Sequence, residues 1–307
     1  MMSAVNLEVK IGSLSLRNPV MNASGTFGAR EYSEYIDFSR IGALVPKSVT
    51  LNPRAGNPTP RITEVFGGVI NAVGIQNAGI HDFVKNKLPE MLGLKTHIIV
   101  SLSNTALKDF ETCVNILEDA EGISAYEINI SCPNIEKDGC AFGFSEADTA
   151  AVVRAARKVM KTNRPVIVKL SPNVTDIVRI ARAAADAGAD ALTIANTYLG
   201  MAVDLNTRKP VLGNKFGGVS GAAIKPLTMG RVYSVRKALD VPVIASGGIC
   251  SAEDALEYLM VGAKAVQVGT ANFTNPAVME EIVSGMENWL ENNGILDVND
   301  FIGTVED

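Results

Sequence analysis

Two lysines, one cysteine and a set of asparagines and glycines stand where they could do chemistry. Lys47 and Lys169 each close an apolar run, Ala43-Leu-Val-Pro-Lys47 and Pro165-Val-Ile-Val-Lys169. An ammonium there must point into a polar cavity or find a partner, because burying it alone is costly. No acidic residue ends a matching run, so contact with a cofactor or substrate is the expected role of both. Cys132 follows Asn129-Ile-Ser131 and opens a long segment, Pro133–Phe144. A thiol in such a place can serve as general base when its surroundings tune it and close over a substrate. Cys113 and Cys250 read as small buried hydrophobes, and Cys140 as a bystander.

Asn71, Asn77, Asn129, Asn134 and Asn196 together suit a planar ligand with alternating donors and acceptors, although each alone is a common turn residue. Gly247-Gly248 and Gly269-Thr270 let bare amides approach a ligand, and a helix start at Ser251 favours negative charge there. These features read as a phosphate site; the alternative is that the glycines only make tight turns. His81 and His97 are the only histidines, little material for a His-based triad or a multi-His metal site. The four cysteines are irregularly spaced with no CxxC pair, so neither a metal site nor an iron–sulfur cluster is expected on this chain. No GxGxxG follows a strand to bind a dinucleotide.

Eight short runs rich in β-branched residues carry these groups at their ends. They are Asn18–Ser24, Ala43–Thr50, Thr96–Ser103, Ala125–Cys132, Pro165–Pro172, Ala191–Thr197, Pro242–Gly248 and Ala265–Thr270. The last four begin as near-continuous apolar stretches, the pattern of strands buried on both faces. Helical spacing fills most gaps. Ile177, Ile180, Ala181 and Ala184 repeat at helical intervals, and Gly188 sits where a C-terminal cap belongs. Ser251-Ala-Glu-Asp254 resembles a capping box for a helix over 252–260, and Pro276 reads as a first-turn proline of the last helix. Eight strand–helix units close most simply as a (β/α)8 barrel, a TIM barrel, with an open doubly wound sheet as the alternative. In a barrel the carboxyl ends of the strands carry the active site. Here those ends hold Ser, Asn, Lys, Gly and Thr but no carboxylate, unlike a glycosidase or a metal-dependent barrel.

The chain has 307 residues, 47% hydrophobic and 20% charged, which fits one elaborated barrel spanning 1–307. Long segments at 51–79, 133–144 and 200–223 are expected as inserted loops at the active end. With 28 Lys plus Arg against 33 Asp plus Glu, the net charge of −5 argues against nucleic-acid binding. No apolar run approaches the ~20 residues of a membrane helix, and the first residues lack a signal-peptide layout. A cytoplasmic location is the expectation.

The motifs taken together resemble the family-1 dihydroorotate dehydrogenases over nearly the whole chain. The strings are Asn22-Ala-Ser-Gly25, Lys47-Ser48, Gly56-Asn-Pro-Thr-Pro-Arg61, Asn71-Ala-Val-Gly-Ile-Gln-Asn77 and Asn129-Ile-Ser-Cys-Pro-Asn134. Val168-Lys-Leu-Ser-Pro172, Asn196-Thr197, Ser220-Gly-Ala-Ala-Ile-Lys-Pro226, Ala245-Ser-Gly-Gly248 and Val268-Gly-Thr270 follow. The Gln-Asn at 76–77 resembles type 1B, the NAD-linked branch.

The resemblance implies one FMN per chain at the barrel mouth and dihydroorotate stacked on its ring. By it, Cys132 removes the C5 proton and the C6 hydride goes to the flavin. Lys47 touches flavin and substrate. Asn71, Ala72, Val73, Gly74, Ile75, Asn129, Asn134, Asn196 and Thr197 bind the carboxylate and pyrimidine edges. Lys169 faces the electron-rich edge of the reduced flavin. Gly221, Gly247, Gly248, Gly269 and Thr270 hold the phosphate, and Ser24, Ser48, Asn129 and Ala195 line the flavin. Ser101 stands where the family often has a flavin-contacting asparagine, and the nearest asparagine is Asn104. Pro46, inside an expected strand, removes a ladder donor.

With no cysteine cluster or dinucleotide motif here, transfer to NAD requires another protein. The type 1B resemblance implies an FAD and [2Fe-2S] subunit bound to a homodimer core, a heterotetramer. The alternatives are a fumarate-linked type 1A enzyme, a dihydropyrimidine-type reductase on the same barrel, and a non-redox phosphate-binding barrel.

Overall fold

The computed structural model describes residues 5–131 and 142–306. Eight parallel strands close into a barrel: β1 Val20–Asn22, β2 Ala43–Leu44, β3 His97–Leu102, β4 Ala125–Asn129, β5 Val166–Lys169, β6 Ala191–Ile194, β7 Val243–Ser246 and β8 Ala265–Val268. Each pairs with its neighbours in sequence, and β8 closes on β1 through Val266 opposite Val20. All eight expected strands exist, each shorter than its apolar run. The second is the most abbreviated. Beyond Leu44 the side chain of Asn22 takes over the ladder, accepting from the Val45 N–H at 2.8 Å and donating to the Val45 carbonyl at 2.7 Å. Pro46, with no N–H to give, therefore lies past the strand and not inside it.

The helices behave as their patterns require. Ala252–Met260 is opened by a complete Ser251–Asp254 capping box. Ile177–Asp186 buries Ile177, Ile180, Ala181 and Ala184, and ends before Gly188 in the left-handed region at φ +107°. The last long helix, Val278–Asn292, begins two residues after Pro276, so that proline precedes the helix and is not in its first turn. The core is continuous, from the strands outward to the helices and to a hairpin, Val9–Ile11 with Leu14–Leu16, at the amino ends of the strands. No helix among the described residues is long and apolar enough to cross a membrane.

Two of the long inserted segments are not loops. Ile62–Val65 and Gly68–Asn71 from the first, and Tyr198–Met201 and Phe216–Ser220 from the third, form one four-stranded antiparallel sheet. Its central pairing sets Gly218 opposite Asn71. The sheet has a small core of its own at Ile70, Ala72 and Leu212, and it stands over the carboxyl end of the barrel.

Candidate active site

A single cavity at the carboxyl ends of the strands gathers most of the predicted residues. Ser24, Lys47, Ser48 and Asn129 line it from the β1–β4 side. Lys169, Ala195, Asn196 and Thr197 follow β5 and β6, and Gly247, Gly248, Gly269 and Thr270 follow β7 and β8. The inserted sheet adds Asn71, Val73, Gly74, Ile75 and Gly221. Thus residues far apart in sequence share one wall because the barrel brings its strand ends together and the sheet roofs them.

Three predicted residues among those described, Ala72, Ser101 and Asn77, are elsewhere. Ala72 is fully buried in the sheet's own core, its carbonyl accepting from Asn57 Nδ2 at 3.1 Å. Ser101 is fully buried beneath the cavity and touches Ser48, Oγ to Oγ 2.8 Å. Asn104 does not replace it, for its Oδ1 accepts from the Leu51 N–H at 2.9 Å and anchors the start of the first inserted segment. Asn77 is likewise a loop clamp: its side chain bonds Thr50, the Ile75 carbonyl and the Gly79 N–H. Cys132, Asn134 and Cys140 lie outside the described residues. Cys113 is buried as expected, but Cys250 is exposed and lines the cavity. Partial burial and the nearby Asp254 push its thiol pKa up.

The asparagines that line the cavity are held by one another's neighbours. Asn129 Oδ1 accepts from the Ser131 N–H and hydroxyl, while Asn196 Nδ2 donates to the same Ser131 Oγ at 2.7 Å. Lys47 reaches across Gly25, where an added Cβ would stand 3.4 Å from its Nζ.

The glycine end shows two kinds of glycine. Gly248 has φ +72°, and a Cβ there would lie 2.7 Å from the Lys225 backbone nitrogen, so the fold itself demands glycine. Gly269 is different: a Cβ would meet only Ala23 Cβ at 3.5 Å and Thr26 Cγ2 at 3.7 Å, ordinary contacts, among residues that line the cavity. There the protein has room for a methyl group and leaves it open. Just before the helix start, Asp254 accepts from the Cys250 and Ser251 N–H groups at 2.8 and 3.0 Å. Lys225 is also engaged, paired with Asp254 and Glu257 at 2.5 and 2.7 Å. The Thr270 hydroxyl donates to Ser220 Oγ at 2.9 Å.

Below the cavity is a carboxylate that does not stand at a strand end. Glu127 is fully buried inside the barrel. It accepts from Ser101 at 3.1 Å, Thr193 at 3.1 Å and Gln267 Nε2 at 2.7 Å. Gln267 Oε1 in turn accepts from Lys169 Nζ at 3.1 Å. Lys169 thus has an acidic group nearby, in the middle of β4 and not at a strand end. Burial pushes its ammonium below the usual lysine range, and the charge of Glu127 opposes that. Side-chain alternation was the available signal, because Glu127 shares a strand face with Asn129 two residues on.

The sequence profile of the dihydroorotate dehydrogenase family matches residues 6–290 of the chain. A dihydroorotate dehydrogenase B (NAD(+)) catalytic subunit from Desulforamulus reducens is 50% identical over 300 residues, covering 97% of this chain and 98% of that one. Its counterpart in Geobacter sulfurreducens is 48% identical over 306 residues, 99% of this chain and 100% of that one. The Bacteroides thetaiotaomicron counterpart is 46% identical over 302 residues, 98% and 99% of the two chains.

Proposed function

Because the chain belongs to the dihydroorotate dehydrogenase family, we propose that it oxidises dihydroorotate to orotate in pyrimidine nucleotide synthesis, with its electrons reaching NAD through a partner subunit. The observation that carries this reading is near full-length identity to NAD-linked catalytic subunits, joined to a cavity whose floor is a buried lysine and whose far wall is glycine backbone.

The residues present fit FMN. Gly248, Gly269 and Thr270 would hold its phosphate, and the room left at Gly269 suits close approach of a ligand to the backbone. Lys169 and Ser24 would meet its ring system. When bound, FMN supplies the acceptor for the two electrons and the hydrogen that leave C6 of the substrate. The protein's own work is positional and acid–base. Asn71, Asn129, Asn196 and Thr197, with Lys47, would orient the pyrimidine and its carboxylate, and the family resemblance adds Asn134, outside the described residues. The Cys132 thiolate would take the C5 proton. Lys169 would place positive charge where negative charge develops.

A separate subunit carrying FAD and a [2Fe-2S] cluster, bound to a dimer of this chain, is the electron exit that suits the type 1B reading. Steady-state assays of the purified chain test it. With dihydroorotate, little fumarate reduction is expected at any stage, and little NAD reduction until that subunit is added. Fast turnover with fumarate by the chain alone would favour the type 1A alternative, and NAD reduction by the chain alone would remove the need for a partner.

A further inference from the structure

We propose that Glu127 is a positioning residue for Lys169: through Gln267 it keeps the buried ammonium charged and fixed at the cavity floor before any ligand arrives. This rests on the reading that the cavity holds FMN with its ring edge against Lys169.

The geometry is a relay of three side chains from three strands. Lys169 Nζ donates to Gln267 Oε1 at 3.1 Å, and Gln267 Nε2 donates to Glu127 Oε2 at 2.7 Å. An ammonium has only donors and a carboxylate only acceptors, so the two ends fix which way the Gln267 amide faces. Ser101 and Thr193 fill further acceptor sites on Glu127 from β3 and β6. Glu127 has no exposed surface, whereas Lys169 retains 5% and lines the cavity. Glu127 therefore meets no ligand itself and acts through its partners, of which Gln267 lines the cavity beside Lys169.

Barrel interiors at this level are ordinarily filled by branched apolar side chains. Lys169 and Glu127 are two buried charges joined through the Gln267 amide; even directly paired buried charges give little stability over apolar residues of similar volume, and removing one leaves the other uncompensated. The pair is thus poorly explained by folding alone. It is well explained if a cation must stand ready inside a dry site. Burial works against the charge on Lys169 and Glu127 works for it.

Few other groups titrate nearby. Strands β1, β2, β6, β7 and β8 carry no ionisable side chain. On β4, Tyr126 donates outward to Glu118 at 2.7 Å, and on β3, His97 contacts Ser124 at 3.0 Å. Lys47 stands on the cavity wall, and Cys132 follows β4 in sequence.

The test is the midpoint potential of FMN bound to the purified chain, measured from pH 6 to pH 9. The wild type, Glu127→Gln, Glu127→Asp and Lys169→Met are compared. The wild type and Glu127→Asp should share one slope. Glu127→Gln should fall away more steeply as pH rises, approaching Lys169→Met at the alkaline end as the lysine loses its proton. A Glu127→Gln curve parallel to the wild type at every pH, whatever its offset, overturns the proposal while the displaced Lys169→Met curve leaves the flavin reading standing. A Lys169→Met curve that coincides with the wild type removes the flavin–Lys169 reading and this inference with it. Should Glu127→Gln not fold, Gln267→Leu cuts the relay with both charges kept; an unsteepened slope there also overturns the proposal.

Discussion

Ser48 Oγ lies 2.8 Å from Ser101 Oγ, and this contact is how the buried Ser101 reaches the cavity wall. Ser101 donates to the Glu127 carboxylate, so Ser48 is the donor to Ser101, and Asn129 Nδ2 donates to Ser48 at 3.3 Å. One carboxylate thereby sets the direction of a chain of hydroxyls. Ser48→Ala or Ser101→Ala alone should cost about 1–3 kcal/mol, the range for leaving a buried polar group unmatched. The double variant should cost clearly less than the sum of the two. Thermal unfolding of the four proteins checks this, and strict additivity would show that the two hydroxyls are not coupled.

The two kinds of glycine separate fold from ligand. Gly248→Ala should lower the melting temperature, because a left-handed φ of +72° and the Lys225 backbone both oppose a side chain. Gly269→Ala should leave melting of the FMN-free protein nearly unchanged and weaken FMN retention by about tenfold or more, the loss of about 1.4 kcal/mol of binding. Unchanged FMN affinity in Gly269→Ala would remove this glycine from the phosphate site.

Cys132→Ser should slow reduction of the flavin by dihydroorotate on the order of 10²-fold or more, the usual scale for losing a general base, and leave FMN bound. Stopped-flow absorbance at neutral pH gives the rate directly. A near-normal rate would take Cys132 out of that role.

His97 offers a pH test of the barrel. It is half-buried at the start of β3, and burial lowers its pKa below 6.5. The unfolded chain therefore takes up this proton first as pH falls. The stability His97 contributes as a neutral group is complete above about pH 6.5, the ordinary histidine value, and is lost below it. The wild type should lose more melting temperature between pH 7 and pH 5 than His97→Gln does. Equal losses would show that His97 titrates alike in both states.

The barrel was legible because buried parallel strands are written as apolar runs, and Lys47, Lys169 and the glycine pairs could be placed at their ends from that alone. The inserted sheet was not, because pairing Gly218 with Asn71 joins segments far apart in sequence that no local pattern connects. Ala72 shares the Asn71–Asn77 string with residues that line the cavity, but just past the strand Gly68–Asn71 it is buried with Ile70 and Leu212 in the sheet's core. Glu127 stands in Ala125-Tyr-Glu-Ile-Asn129, two residues inside the strand end, where a strand-end rule does not reach. Its value comes from Gln267 and Lys169 on other strands, a relationship only the closed barrel creates.

The most direct measurement is an anaerobic titration of the purified chain with dihydroorotate, followed by its visible spectrum. The account predicts a yellow protein carrying one FMN per chain whose flavin absorbance bleaches as orotate forms. A yellow protein that dihydroorotate leaves unbleached, with or without the electron-transfer subunit, would contradict the substrate. A colourless protein that takes up no added FMN would contradict the cofactor and the reading of the cavity.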